Sequence, residues 1–368
     1  MGRLTCLDGL RGVLALYVMA SHALPFAILP SALDWLASLL SHGGAGVDLF
    51  FILSGLVILR SLQAFQGRPR GFLIARASRI FPVYLLAFAL ALALRPWAHG
   101  IAAMPWIGPG SPAQVLVSDG WPEWAGVEIA AHLLMLHGLF PDGALPHVWV
   151  RFLGAAWSLS TEWQFYVLAL VLSCWRVRDS RMAAIFLALA AAGLGWHMLA
   201  PDGGTFSRAF LPNKAQYFAL GIASAALLAG APGARRLYLA TLAAALVISL
   251  DQGGPGKMAA PLAWSLCLGA QLGLCTPLAT LLRHRVLLWL GAVSYPLYIV
   301  HEPIHKILSI ALARLAAGDG VWFSALWLPA AIVVPLLAAW WLHVAVELPA
   351  QRWGRDIAAQ RRPAHLGA

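Results

Sequence analysis

The first apolar segment of the chain carries two ionisable side chains at a spacing that places them on one face of a helix. Arg11 and His22 are eleven residues apart, and three helical turns take about 10.8 residues, so both project from nearly the same side. About 16 Å of helix axis separates them, and Asp8 shares their face. Because histidine titrates near neutrality, it is the usual base for deprotonating a hydroxyl. The pattern predicts His22 as a catalytic imidazole, with a packing histidine as the alternative.

The second apolar segment contains a carboxylate, Asp48, followed by Ser54 and Gly55. An ionisable group at the bilayer centre costs about 2.5–3.5 kcal/mol, so Asp48 requires a partner. We expect Arg11 or His22 to be that partner. The glycines of this segment indicate close approach by a neighbouring helix.

Arg76 and Arg79 lie three residues apart, on one face of a helix that follows a basic cluster. Arginine binds phosphate oxygens through two parallel hydrogen bonds. The pair therefore predicts a phosphate site, and ordinary anchoring of a helix at the membrane surface is the alternative.

Two later apolar segments are also rich in polar groups. Glu162 lies in one of them, and its side chain is too short to reach water from far inside a membrane. In the other, Tyr298 and His301 share a helix face, and both a core hydrogen bond and a catalytic role are open for His301. The supporting polar candidates are Asp8, Asp48, Ser54, Trp157, Ser158, Glu162, Tyr298 and His301.

The composition predicts an integral membrane protein. Of 368 residues, 61% are hydrophobic and 11% are charged, with a mean hydropathy of +0.76, whereas about a quarter of the residues in soluble proteins are charged. The net charge of +10 does not indicate a nucleic-acid partner, because the basic residues lie in short clusters between apolar stretches. The four cysteines have no C-x-x-C spacing, so we predict no metal site and no disulfide framework.

Apolar runs bounded by charge, proline or glycine predict an all-α, polytopic transmembrane bundle of about ten helices. The predicted spans are 8–29, 44–62, 77–95, 157–175, 181–200, 214–230, 236–251, 259–281, 286–312 and 322–346. Segment 127–140 is too short to cross comfortably and is expected to lie at the interface or to dip into the protein. Residues 1–350 then form one membrane domain, and residues 351–368 form a basic cytoplasmic tail.

Ten spans place both termini on one side of the membrane, and the basic residues decide which side. With both termini in the cytoplasm, most of the 25 lysine and arginine residues face the cytoplasm, as the positive-inside rule requires. The outer side then holds only Arg95, Arg151, Arg208, Lys214, Lys257, Lys306 and Arg314. The longest outer loop, about 96–156, is rich in tryptophan, which indicates an aromatic belt at the membrane surface or a platform for sugar stacking.

Six motifs occur in order along the chain. They are Leu7-Asp8-Gly9-Leu10-Arg11-Gly12 with His22, Gly46-Val47-Asp48-Leu49-Phe50-Phe51-Ile52-Leu53-Ser54-Gly55, Arg76-x-x-Arg79-Ile80-x-Pro82, Trp157-Ser158-Leu159-Ser160-Thr161-Glu162, Tyr298-x-x-His301-x-Pro303 and Glu347-x-Pro349. The set resembles the acyltransferase family 3 membrane proteins, which O-acetylate surface polysaccharides, lipopolysaccharide and related glycans. The resemblance runs from residue 7 to about 350, nearly the whole chain.

The resemblance implies a ten-helix core in a bacterial cytoplasmic (inner) membrane and a donor that is acetyl-CoA or another acyl-CoA, with no permanently bound cofactor. It implies that His22 is the essential histidine with Arg11 as its partner, and that Arg76 and Arg79 handle the donor. The implied acceptor is a carbohydrate or glycolipid. The SGNH-type domain that some relatives carry after this core is not visible here, which leaves open an extracytoplasmic partner enzyme.

Together, these observations predict a membrane O-acyltransferase in which His22 acts as base or as transient acyl carrier. The alternative is a polytopic transporter or flippase of an anionic or glycan substrate. A transporter would be expected to show inverted repeats and broken helices at matching positions, and the sequence shows neither.

Overall fold

The computed structural model describes residues 4–65, 68–97, 99–102, 104–107, 113 and 120–360. Within these residues the chain forms helices and no strand, apart from an isolated bridge between Pro141 and Phe206. This confirms the all-α prediction. The α-helices are α1 (Thr5–Ala23), α2 (Asp34–Leu40), α3 (Gly43–Ala64), α4 (Pro69–Leu94), α5 (His99–Ala102), α6 (Ala125–Leu133), α7 (Trp157–Cys174), α8 (Asp179–Leu199), α9 (Ala215–Leu228), α10 (Ala234–Gly253), α11 (Ala259–Gln271), α12 (Thr276–Leu282), α13 (Arg285–Leu315), α14 (Gly320–Leu342) and α15 (Leu348–Gln360).

Each of the ten segments predicted as spans contains a helix. By length and apolarity, four helical stretches can cross a membrane, and a fifth can if one bent pair counts as a single span. The four stretches are Ser31–Ala64, Pro69–Trp97, Asp179–Leu199 and Gly320–Ala359. The structure therefore supports a polytopic membrane protein, while the count of ten spans and the cytoplasmic placement of both termini stay predictions.

The predicted span 259–281 is divided into α11 and α12 rather than forming one straight helix. The two parts are bent by 93°, and Gly273 in the connection has a φ of 85°, a conformation that costs glycine little. The bend lets the side-chain oxygen of Gln271 accept a hydrogen bond from the backbone N–H of Cys6 at 3.1 Å. The described residues contain one such bent pair. A transporter built from inverted repeats would be expected to have two, one in each repeat.

The short apolar segment 127–140 forms α6 and a 3₁₀ turn at His137–Leu139. The nine residues of α6 extend about 14 Å, roughly half of a bilayer core. Glu128, His132 and His137 on this segment are buried inside the protein. The segment thus dips into the protein and does not cross the membrane by itself.

Helices α1 and α13 cross at glycines, which brings their backbones together. A Cβ added at Gly12 would overlap the backbone nitrogen of Gly291 and the carbonyl oxygen of Leu287, and one added at Gly291 would overlap the carbonyl oxygen of Asp8. Small residues at such crossings allow tight packing between membrane helices. This crossing fixes the first helix, which carries Arg11 and His22, against the helix that carries Tyr298 and His301.

Helices α3 and α9 meet in the same way, so we expect Gly55→Ala to destabilise the fold. A Cβ at Gly55 would overlap the carbonyl oxygen of Phe218 on α9, and overpacking of this kind costs about 1–3 kcal/mol. Thermal unfolding of the purified protein in detergent measures the effect as a lower midpoint. Gly44→Ala on the same helix is the control, because nothing lies within 4 Å of its added Cβ. Equal midpoints for the two variants would contradict this packing.

Part of the predicted basic tail is helical. Residues 348–360 form α15, which packs along α4, with Ala358 buried and Gly354 against Ser78. A short π-helical segment, His343–Glu347, joins α14 to α15. The last residues of the tail, 361–368, including Arg361 and Arg362, lie outside the described residues.

Candidate active site

A cleft between α1, α3, α4, α7 and α13 collects most of the polar candidates. Counted to its open ends, it has a volume of about 750 Å³. Its polar lining consists of Arg11, Ser54, Arg76, Arg79, Ser158, Glu162, Tyr166, Ser294, Tyr295 and Tyr298. Asp8 lies in an adjoining cleft that shares Arg11 with the first. Residues that are far apart in sequence therefore meet at one place, and the resemblance motifs mark the helices that bring them there.

Three guanidinium groups and one carboxylate line this cleft, so its lining is cationic. The buried Nε of Arg76 has no hydrogen-bond partner among the described residues. A buried donor without an acceptor costs about 1–3 kcal/mol, and a bound anion would remove that cost. Arg11 is also close enough to Asp8 and Glu347 to interact with them electrostatically. Glu162 also interacts electrostatically with all three arginines, so they share the single carboxylate of the cleft and its lining keeps an excess of positive charge.

Glu162 is held in the cleft by a neighbour on its own helix. The hydroxyl of Tyr166 donates a hydrogen bond to Glu162 Oε2 at 2.8 Å. The two residues are four positions apart, one turn along α7, the spacing at which side chains of a helix meet. Glu162 thus faces the arginines inside the protein and is not a surface charge.

His22 and His301 form a direct pair. His22 Nδ1 and His301 Nε2 are 2.7 Å apart, and the two rings stack with centroids 4.9 Å apart. Tyr298 connects this pair to the cleft: its ring centroid lies 6.3 Å from that of His301, and its hydroxyl is 2.8 Å from the hydroxyl of Ser158. Arg11 lines the cleft, whereas the contact of His22 is His301 and not Arg11.

The hydrogen bonds of His301 determine which nitrogen of His22 is free. His301 Nδ1 is 3.1 Å from the carbonyl oxygen of Leu297, which can only accept, so Nδ1 carries a proton. In a neutral imidazole the other nitrogen is then an acceptor. His301 Nε2 therefore accepts from His22 Nδ1, and the lone pair of His22 is on Nε2. This is the tautomer that a general base needs when its Nδ1 is held by an orienting group.

If His22 is the base that the sequence predicts, we expect His301→Leu to slow catalysis without removing that base. The change leaves His22 Nδ1–H without its acceptor, a loss of about 1–3 kcal/mol, so kcat should fall about 5–160-fold. His301→Gln should restore much of the rate, because its side-chain oxygen can accept the same hydrogen bond. Rates of acyl transfer by the two purified variants test this. Equal losses in both variants would show that His301 only fills space.

The prediction that Arg11 or His22 is the partner of Asp48 is wrong. Asp48 does not contact Arg11 or His22 but accepts a hydrogen bond from Lys214 Nζ at 2.6 Å, and Lys257 Nζ lies 3.7 Å from its other oxygen. Trp157 belongs to the same neighbourhood, with its ring centroid 5.8 Å from Lys214 Nζ. The reason is position along α3: Asp48 lies near the start of the helix, next to Lys214 where α9 begins, and away from Arg11.

Several residues that the structure places at the site were not predicted from the sequence. Tyr166 could have been found from its spacing of four residues to Glu162. Glu302 follows His301 directly, accepts a hydrogen bond from the backbone of Ala155 at 2.7 Å and pairs with Lys306 at 3.1 Å. Nothing in the local sequence indicates the Ala155 contact, because it joins residues that are 147 positions apart.

Comparison with known proteins identifies the family of the chain. The family model described as acyltransferase domain, that of acyltransferase family 3, matches residues 4–344. The chain belongs to acyltransferase family 3. The family is one of acyltransferases, which favours acyl transfer over the transporter alternative. No solved structure matches the chain.

Among curated relatives, the acyltransferase MdmB of Streptomyces mycarofaciens is 26% identical over 98% of this chain and 94% of its own length. BcsY of Komagataeibacter xylinus, named a membrane-bound transacylase, is 29% identical over 52% of this chain. Protein 2 in picA locus of Rhizobium radiobacter is 40% identical over 24% of this chain. The chain spans 44% of the length of each of these last two relatives.

Proposed function

We propose that this family 3 acyltransferase moves an acetyl or similar acyl group from acyl-CoA to a hydroxyl of a cell-surface or lipid-linked carbohydrate. The membrane is the cytoplasmic (inner) membrane of a bacterium. The donor enters from the cytoplasmic side and the acceptor from outside. The observation that carries the proposal is a cationic cleft joined through Tyr298 to the His22–His301 pair.

The donor fits the cationic end of the cleft. Coenzyme A carries three phosphoryl groups, and arginine binds such groups through paired hydrogen bonds. Arg76 and Arg79 line the cleft, and the unpartnered Nε of Arg76 offers a donor for a phosphate oxygen. The flexible pantetheine arm would then carry the thioester along the cleft toward Tyr298 and the histidine pair.

His22 supports transfer in one of two ways. As a base, its Nε2 takes the proton of the acceptor hydroxyl while the hydroxyl oxygen attacks the thioester carbonyl; the C–S bond breaks, and the coenzyme A thiolate takes up the proton. As a carrier, Nε2 attacks the thioester carbonyl first, and the C–S bond breaks to release the coenzyme A thiolate; the acceptor oxygen then attacks the acyl-imidazole, the C–N bond breaks, and the hydroxyl proton passes to the thiolate. Both steps use the nitrogen that the hydrogen bond to His301 leaves unprotonated.

An incubation of the purified protein in detergent with radiolabelled acetyl-CoA tests the proposal. With extracted surface glycans present, we expect label to move to the glycan; label that stays on acetyl-CoA would count against the acyl-CoA donor. Without acceptor, label attached to the protein in stoichiometric amount, and absent in His22→Ala, would indicate the carrier mechanism. Mass spectrometry of glycans from a strain that lacks the protein would then identify the acyl group and the acceptor.

A further inference from the structure

A second group of charged residues lies beside the cleft, at the end that the predicted orientation places outside. It comprises Asp48, Lys214, Lys257 and Arg208, and we name it the Lys214 cluster. Lys214 and Lys257 both face Asp48, at 2.6 Å and 3.7 Å, and Arg208 is close enough to act electrostatically on Lys214. Three cations against one carboxylate leave an excess of two positive charges. Few basic residues are predicted to face outward, and three of them converge here.

The excess charge is accessible. Lys214 is buried and satisfied by Asp48, but the side chain of Lys257 is 38% exposed, and Arg208 is exposed. Arg208 has no carboxylate partner within the part of the chain that the structure describes. The distance from Lys257 to Asp48 exceeds that of a hydrogen bond, so this contact leaves the lysine donors available. An ion pair that only stabilised the fold would need Lys214 and Asp48, but neither Lys257 nor Arg208.

Aromatic rings hold the exposed guanidinium next to the cleft. The guanidinium carbon of Arg208 lies 5.3 Å from the ring centroid of Trp149 and 5.8 Å from that of Trp157, distances typical of cation–π contacts. Trp149 is half-buried. Trp157 in turn packs on Phe51, which lines the cleft, with ring centroids 5.6 Å apart.

We infer that the Lys214 cluster binds the negatively charged group, a carboxylate or phosphate, of an acidic sugar in the acceptor, with Trp149 against the sugar ring. The inference rests on the proposed function and specifies its acceptor as an anionic glycan. Charge-assisted hydrogen bonds from Arg208 and Lys257 would bind the anion, and an amphipathic indole provides an apolar surface for the C–H face of a sugar. The contact through Phe51 places such a sugar beside the cleft.

Matched acceptors test the inference. We expect the wild-type protein to transfer acetyl groups to methyl β-D-glucuronide, or to glucose 1-phosphate, with a KM about tenfold lower than for methyl β-D-glucoside. The double variant Arg208→Gln/Lys257→Gln should lose this preference and leave transfer to the glucoside unchanged, because hydrogen bonds to charged groups contribute about 1.5–3 kcal/mol when well formed and less when exposed. Arg314 is an exposed cation on the predicted outer side, away from the cluster. The variant Arg314→Gln should therefore retain the preference for the charged acceptors.

Binding without a donor separates the two proposals. Isothermal titration of the purified protein with methyl β-D-glucuronide in the absence of acyl-CoA should show binding that weakens in the double variant and at high salt. Equal binding of glucuronide and glucoside, or binding unaffected by the double substitution, would overturn the acidic-sugar site. Inorganic phosphate that competes as well as the sugars would also overturn it. Intact glucuronide binding without any acyl transfer would instead overturn the proposed function alone.

Discussion

Acyl transfer is expected to fall by at least about 10²-fold when His22 is replaced by alanine, since general acid–base catalysis contributes about 10²–10⁴-fold. If His22 carries the acyl group, the loss is complete. The cause in both cases is the removal of Nε2, the nitrogen that the pair with His301 leaves with a free lone pair. The measurement is the initial rate of label transfer from acetyl-CoA by the purified variant.

Two controls keep this result specific. His22→Asn retains a donor at the position of Nδ1, so it should preserve the contact with His301 and the fold, yet it should be as inactive as the alanine variant. His197→Ala, which changes an exposed histidine on α8, should keep full activity and the same thermal midpoint. Near-normal transfer by either His22 variant would remove the imidazole from the mechanism.

Replacing Arg76 by glutamine is expected to lower kcat/KM for acetyl-CoA about 10–100-fold, mainly through a higher KM. Hydrogen bonds to charged groups contribute about 1.5–3 kcal/mol, and each 1.4 kcal/mol corresponds to a factor of ten. Arg76 is the cleft residue whose buried Nε has no acceptor in the described structure. A hydrogen bond from this Nε to a phosphate of the donor should therefore contribute most to donor binding. Kinetics at varied acetyl-CoA concentration measure the change.

The charge and the planar geometry of Arg76 can be separated by a second variant. Arg76→Lys keeps the charge but cannot form two parallel hydrogen bonds, so its KM should lie between those of wild type and Arg76→Gln. Arg70→Gln, at an exposed position near the start of the same helix, should leave the KM unchanged. An unchanged KM in Arg76→Gln would assign the arginine pair to membrane anchoring.

Local spacing was sufficient to predict much of the site. The three-residue interval between Arg76 and Arg79 predicted a shared face, and both side chains line the cleft. The eleven-residue interval between Arg11 and His22 predicts that both lie on one face of α1, because helical periodicity is fixed by backbone geometry. The two residues nevertheless have different surroundings: Arg11 lines the cleft, and His22 pairs with His301.

Partners from distant parts of the chain were not predictable. Asp48 pairs with Lys214, which is 166 positions away, and His22 pairs with His301, which is 279 positions away. A single sequence shows that a buried charge needs a partner but not which helix supplies it, since that depends on how the helices pack. The 93° bend between α11 and α12 was missed for a related reason: apolarity alone does not distinguish one long helix from two short ones.

The most direct test is a structure of the protein with S-ethyl coenzyme A, a donor analogue that cannot transfer an acyl group, determined by electron cryomicroscopy in detergent or nanodiscs. We predict phosphate density within hydrogen-bonding distance of Arg76 or Arg79 and the thioether in the cleft near Tyr298, pointing toward His22. An analogue bound elsewhere, or a cleft closed between Tyr298 and His22 with the analogue in place, would contradict the account.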